Sequence, residues 1–255
     1  MPHARKPASS LPRRNLRASS DAAPLTETTP RRGIRSFVVR AGRMTAGQER
    51  ALAELWPRYG IDWPPAALPL DFSRAFGRTA PLTLEIGFGN GATLAHLAAA
   101  NPARNYLGIE VHRPGIGHLM LAAQAANLSN LRIIGHDAVE VLTQAIPADS
   151  VDEMLIQFPD PWPKKRHHKR RLIQPAFALL AAGRLRPGGA LRLATDWEEY
   201  ALHMQEVLGA CPLLRNSADG GGAITRPAWR ELTKFEQRGH RLGHGVWDFE
   251  FIRAA

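Results

Sequence analysis

Glu85-Ile86-Gly87-Phe88-Gly89-Asn90-Gly91-Ala92 joins an apolar run that begins at Leu82 to an alanine- and leucine-rich stretch that ends at Ala100. A short apolar run, closely spaced glycines and a helix-favouring segment read as strand, tight turn and helix. The spacing satisfies G-x-G-x-x-G/A. Glycine reaches positive φ without strain and lets a ligand approach the main chain closely. In an open parallel sheet ligands bind beyond the carboxyl ends of the strands, so the turn predicts a site as well as a βα unit.

The same rhythm continues outward. Residues 105–111 read as a second strand and 115–127 as a helix; 131–137 and 138–146 repeat the pair. Residues 151–159 form a fourth strand, 171–185 a helix closed by Arg-Pro-Gly-Gly, 190–196 a fifth strand, and 197–208 a helix. Short apolar strands alternating with helices predict a doubly wound, mostly parallel α/β sheet covered on both faces. The segment 245–253 predicts a last, antiparallel strand. Upstream, Thr45 and Gln48 have the spacing of a capping box, and Leu52, Leu55 and Trp56 supply a short apolar stripe. One folded domain, 44–255, is therefore expected, preceded by a basic, disordered extension, 1–43.

Each of the five strands ends at or near a carboxylate: Glu85, Glu110, Asp137, Asp160 and Asp196. The glycine turn with Glu110 beyond it also fits a dinucleotide fingerprint. A pyrophosphate, however, would be repelled by an acidic crevice. S-adenosylmethionine, with a sulfonium, an ammonium and one carboxylate, is net cationic and suits it. The expected roles follow. Gly87, Gly89 and Gly91 admit the methionine part, with Glu85 at that end. Glu110 accepts two ribose hydroxyl hydrogen bonds, and Asp137 takes the adenine amino group. Any one of these acids could instead be a helix cap; the set, with the glycine turn, points to the cofactor.

Charge marks the partner. The chain carries 33 Lys and Arg against 23 Asp and Glu. Ten of those cations fall in residues 1–45, and six more in the run Lys164 to Arg171. Cations concentrated in two places are the footprint of a polyanion. The second cluster directly follows Phe158-Pro159-Asp160-Pro161-Trp162-Pro163, where prolines on both sides stiffen the backbone around Asp160. Trp162 or Phe235 could stack on an exposed base.

At these motifs the chain resembles the bacterial tRNA (guanine-N7-)-methyltransferases. The resemblance covers about residues 80–255. It rests on LEIGFGNG (84–91), GIEVHRPGIG (108–117), FPDPWPKKRHHKRR (158–171), ATDWEEY (194–200) and TKFEQRGHRLGH (233–244). It implies a Rossmann-like methyltransferase fold that transfers methyl from S-adenosylmethionine to N7 of a guanine in the tRNA variable loop. By position it implies cofactor contacts at Glu85, Glu110, Asp137 and Asp160, with Asp160 also catalytic. Substrate contacts are implied at Lys164, Asp196, Thr233, Lys234, Phe235 and Glu236, and RNA contacts at Arg166, His167, His168, Lys169, Arg170 and Arg171.

Other classes are weighed on the same residues. An exocyclic-amine methyltransferase would carry Asp/Asn-Pro-Pro-aromatic after the fourth strand; Asp160-Pro161-Trp162 lacks the second proline. A nicotinamide enzyme is disfavoured by Glu85 and Asp137. A non-enzymatic RNA-binding module would be weakened by acids at the sheet edge. No apolar run is long enough to span a bilayer, and the lone Cys211 excludes an internal disulfide and any multi-cysteine zinc site. His240 and His244 lie four apart, but Gly239 and Gly243 argue against a metal-binding helix, so no metal is expected. A cytoplasmic enzyme with no obligate protein partner is the reading, and the alternative for the N-terminus is an organelle transit peptide.

Overall fold

A computed structural model describes residues 36–37, 42–230, 236 and 245–255. Its sheet has eight strands in the order β1-β4-β3-β2-β5-β6-β8-β7. The central block is parallel: β4 (Leu131–Ile134), β3 (Asn105–Ile109), β2 (Leu82–Ile86), β5 (Val151–Gln157) and β6 (Leu185–Thr195). β8 (Trp247–Arg253) runs antiparallel to β6, as the sequence predicts, and also to the three-residue β7 (Leu214–Asn216). β1 (Gly60–Ile61), too short to read from the sequence, extends the other edge alongside β4.

Two cores flank the sheet. On one face Leu84, Leu107, Met154, Ile156, Leu191 and Leu193 pack under α6 (Ala138–Gln144), α7 (Pro175–Arg184) and α8 (Glu198–Gly209). On the other, Tyr106, Ile133 and Leu155 meet α1 (Ala46–Glu54), α4 (Ala92–Ala100) and α5 (Arg113–Ala125). Burial on both faces is why these strands read as continuous apolar runs rather than alternating ones. Each fully buried Leu or Ile contributes roughly 1.5–3 kcal/mol of transfer free energy. The capping box at Thr45 is formed in both directions, so α1 starts where expected. Two further short helices, α2 (Trp56–Tyr59) and α3 (Phe72–Phe76), lie in the proline-broken stretch.

The helix expected over 171–185 starts later than the sequence suggests. The basic run is a 3₁₀ helix, Lys165–Arg170, and α7 begins only at Pro175. Proline at the first helical turn fixes that later start, since it lacks an N–H that a preceding turn could use. β2 is the strand from which the chain leaves first to one side, through β3 and β4, and then to the other, through β5 and β6. The carboxyl ends of β2 and β5 are therefore the switch point where a crevice must open.

Candidate active site

A cavity of about 350 Å³ lies at that switch point. Ile86 and Gly87 end β2, Glu110 follows β3, and Phe158, Pro159 and Asp160 follow β5; all six line it. Gly87 and Gly89 have φ of 70° and 60°, and a Cβ built on either would point into open space. The glycines are thus required by backbone conformation and leave room for a ligand, as the turn predicts.

Glu110 braces this turn. One carboxylate oxygen accepts the Gly89 N–H at 2.9 Å; the other accepts from Val111 at 2.6 Å and His112 at 2.9 Å. A carboxylate offers about four lone-pair positions, so roughly one remains for a ribose hydroxyl, fewer than the two expected. Helix α5 presses on the same turn: a Cβ on Gly115 would stand 1.9 Å from the Gly89 carbonyl oxygen. Gly115→Ala is accordingly expected to weaken cofactor binding about tenfold or more by forcing the turn apart, at the roughly 1–3 kcal/mol of an overpacked contact. Gly183→Ala on α7, with nothing within 4 Å of its added Cβ, should leave binding at the parent value. Equal affinities for the two variants by calorimetric titration would refute this role for the contact.

Glu85, on β2 just before the turn and not among the residues lining the cavity, is 3% exposed, and its Oε2 has no hydrogen-bond partner. Burial, and secondarily the nearby Glu110 carboxylate, push its pKa up to about 8. A carboxyl so shifted is mostly protonated at pH 7. A raised folded-state pKa stabilises the native protein below the unfolded value, and that contribution is lost as pH rises towards 8. Binding of a cationic ligand favours the ionised form, so the proton must leave. Affinity for S-adenosylmethionine should then rise between pH 6 and 7.5, approaching tenfold per pH unit, with about one proton released. The empty protein's Tm should fall over the same range. In Glu85→Gln both trends should flatten; a parent protein whose affinity is flat with pH would refute the assignment.

A buried unpartnered acid, an open glycine turn and a braced carboxylate fit S-adenosylmethionine. Asp137 is less free than expected: one oxygen accepts the Val139 N–H at 2.8 Å, capping α6. Its neighbours His136 and Ala138 line the cavity instead. His136 stacks on Trp63 at 4.5 Å and is bonded to Glu140 at 2.6 Å. Asp196 is partly exposed just beyond β6, and Lys164 is exposed where the 3₁₀ helix begins.

Asp160 is exposed on the cavity wall, between two residues with positive φ, Phe158 at 50° and Trp162 at 46°. Non-glycine residues hold such φ only when surroundings enforce it. The Phe158 N–H donates to the Ala194 carbonyl at 2.8 Å. The Trp162 indole donates to the Ser36 carbonyl at 3.1 Å, and its ring meets the Arg170 guanidinium and the edge of His167. One face of Trp162 is therefore already covered. Ser36 and Phe37 also line the cavity, so chain assigned to the extension takes part in the site.

Within the basic run Arg166 and Lys169 are exposed and Arg170 half-buried. Burial and the surrounding cations hold His167 below its ordinary pKa, so it adds little positive charge near neutrality. Arg171 departs from its expected role. It is 3% exposed, donates to the Pro161 carbonyl at 2.9 Å and to Glu199 at 3.3 Å, and covers the Tyr200 ring. It is an internal strut behind the Asp160 turn, because the chain turns inward there to start α7. Its Nη2 lies 3.1 Å from His168 Nε2, which is 3.4 Å from Glu199, so His168 belongs partly to the same strut.

Glu236 also stands apart from the expected substrate contact. It is 1% exposed, and both its oxygens accept from Arg230, at 2.7 and 2.9 Å. Thr233, Lys234, Phe235, His240 and His244 lie outside the described residues. The sequence reading missed Ser36, Phe37, His136 and Arg230; no motif spacing marks any of them.

The family model described as "Putative methyltransferase" matches residues 79–249. The chain is 56% identical over 230 residues to the tRNA (guanine-N(7)-)-methyltransferase of Methylococcus capsulatus, covering 90% of this chain and 98% of that protein. It is 55% identical to the protein of the same name from Paraburkholderia xenovorans, covering 91% of this chain and 88% of the other. The first match is longer than 44–255, so similarity reaches upstream of Met44. Among solved structures, the 16S rRNA methyltransferase KamB superposes with a TM-score of 0.53 at 15% identity, over 76% of this chain and 99% of that one. The 16S rRNA (adenine(1408)-N(1))-methyltransferase of Catenulisporales acidiphilia, solved with S-adenosylmethionine, gives 0.50 at 16%, over 73% and 92%. At such identities these two likenesses concern the fold.

Proposed function

This chain belongs to the tRNA (guanine-N(7)-)-methyltransferase family, and on that premise we propose that it methylates N7 of a guanine in the tRNA variable loop. The observation that carries the reading is a juxtaposition. A cavity suited to a cationic cofactor has Asp160 on its wall, and the exposed cations Arg166 and Lys169 follow within ten residues.

Guanine N7 has a free lone pair and no proton, so no side chain has to act as a general base. Bound S-adenosylmethionine supplies a methyl group on a sulfonium, and the positive charge passes into the purine as the methyl moves. Asp160 provides fixed negative charge on the wall where that cation develops. Glu110 and the glycine turn hold the donor in place, and alignment of donor and acceptor accounts for much of the rate. Glu85, once ionised, would supply negative charge to the methionine end of the cofactor. Arg166, Lys169 and Arg170 bind phosphates, which positions the RNA without reading its bases. Lys164, where the 3₁₀ helix begins, and Asp196, just beyond β6, are assigned to the nucleotide.

Among the described residues no helix is long and apolar enough to cross a membrane. A cytoplasmic location, where tRNA is matured, belongs to the same reading. Purified protein incubated with tRNA and labelled cofactor should yield label as 7-methylguanosine by nucleoside mass spectrometry. Label in N6-methyladenosine or another exocyclic-amine product would favour the alternative chemistry, and label in no nucleoside would sink the enzymatic reading.

A further inference from the structure

Arg230 is 2% exposed and lies between two buried carboxylates. It gives Nη1 and Nη2 to Glu236, and Nε and Nη2 to Asp248 at 2.6 and 2.8 Å. Asp248 belongs to β8 and is 4% exposed. The guanidinium also covers the ring of Phe158, 5.5 Å from its centroid. Thus one cation joins the antiparallel strand β8, Glu236 and the aromatic residue immediately before Pro159-Asp160.

Buried ion networks are weak evidence for stability, because desolvation offsets much of their attraction. What a planar guanidinium adds is geometry: paired hydrogen bonds to two carboxylates fix its plane and theirs. The plane in question covers Phe158, whose φ of 50° must be enforced by its surroundings. The opposite flank of Asp160 is fixed separately, by Arg171 on the Pro161 carbonyl and by Ser36 on the Trp162 indole.

Resting on the methyl-transfer reading above, we propose that Arg230, with Glu236 and Asp248 as its anchors, is a positioning residue that holds Phe158, and through it Asp160, at the reacting centre. Glu236 then acts through Arg230 rather than on the substrate directly. Arg230→Met keeps an unbranched apolar stem and removes all four hydrogen bonds. Its kcat should fall roughly 100-fold, the scale of a misplacement of about 1 Å at a reacting group. The tRNA KM should change less than about threefold.

Arg230→Lys keeps the charge without the planar fork and should recover only part of kcat. In an Asp160→Ala background, removing Arg230 should lower kcat no further, because the group it positions is gone. A purely structural arginine would lower Tm, leave kcat at low temperature unchanged, and act independently of Asp160. If Arg230→Met does not fold, Asp248→Asn serves: a loss of kcat that vanishes beside Asp160→Ala supports the proposal, and normal kcat overturns it. The parent enzyme is assayed first. Parent protein that forms no 7-methylguanosine defeats the functional reading, whereas active parent with additive Arg230 and Asp160 effects defeats this proposal alone.

Discussion

Asp160→Ala is expected to lower the turnover number for tRNA methylation by roughly two to three orders of magnitude, the usual scale for removing one preorganised charge-stabilising group. The carboxylate sits exposed on the cavity wall, while the backbone on both sides of it is held in positive-φ conformations. That rigidity matters, because a fixed charge stabilises a developing cation without having to reorganise during the reaction. Asp160→Asn retains the shape and removes the charge, so it should lose nearly as much. Affinity for tRNA should change little in either variant, since the phosphate contacts lie on the following 3₁₀ helix. Single-turnover kinetics with saturating cofactor separate the two quantities. Near-parental turnover in Asp160→Asn would remove its charge from the reacting centre.

Replacing Arg166, Lys169 and Arg170 together by alanine should flatten the dependence of tRNA affinity on salt by roughly 2–3 units, at about 0.7–0.9 per lost phosphate contact. Each side chain that neutralises a phosphate releases condensed counterions, so its removal reduces the slope as well as the affinity. The sequence would have added Arg171 to the set. Its burial and its bonds to Pro161 and Glu199 exclude it, and Arg171→Met should instead reduce turnover and leave the slope unchanged. Cofactor affinity should be nearly unaffected by the triple change, because the glycine turn, Glu85 and Glu110 lie on other elements. Titrations at several salt concentrations decide the matter. Parental slope in the triple variant would reduce these cations to a solvated surface turn.

The sequence by itself determined the five central parallel strands, the antiparallel strand beside them and the position of the cavity. These follow from local signals: apolar runs buried on two faces, and glycines where the main chain turns with positive φ. Such signals depend on near neighbours in the chain, so they survive reading one residue after another. The placement of Glu110 and Asp160 at the crevice was legible for the same reason, because strand ends in an open sheet converge.

Tertiary structure alone decided what each charge does. Arg170 and Arg171 are adjacent and chemically identical. One lies over Trp162 beside the exposed cations, and the other is buried under the Asp160 turn where the chain bends towards α7. Arg230 is ordinary in sequence and Glu236 reads as a substrate contact, yet the two form a buried pair beside Asp248 of β8. Ser36 and Phe37 stand in a stretch without apolar periodicity, yet they line the cavity. Burial, pairing and pKa depend on what arrives from distant parts of the chain, and no spacing rule within a segment encodes that arrival.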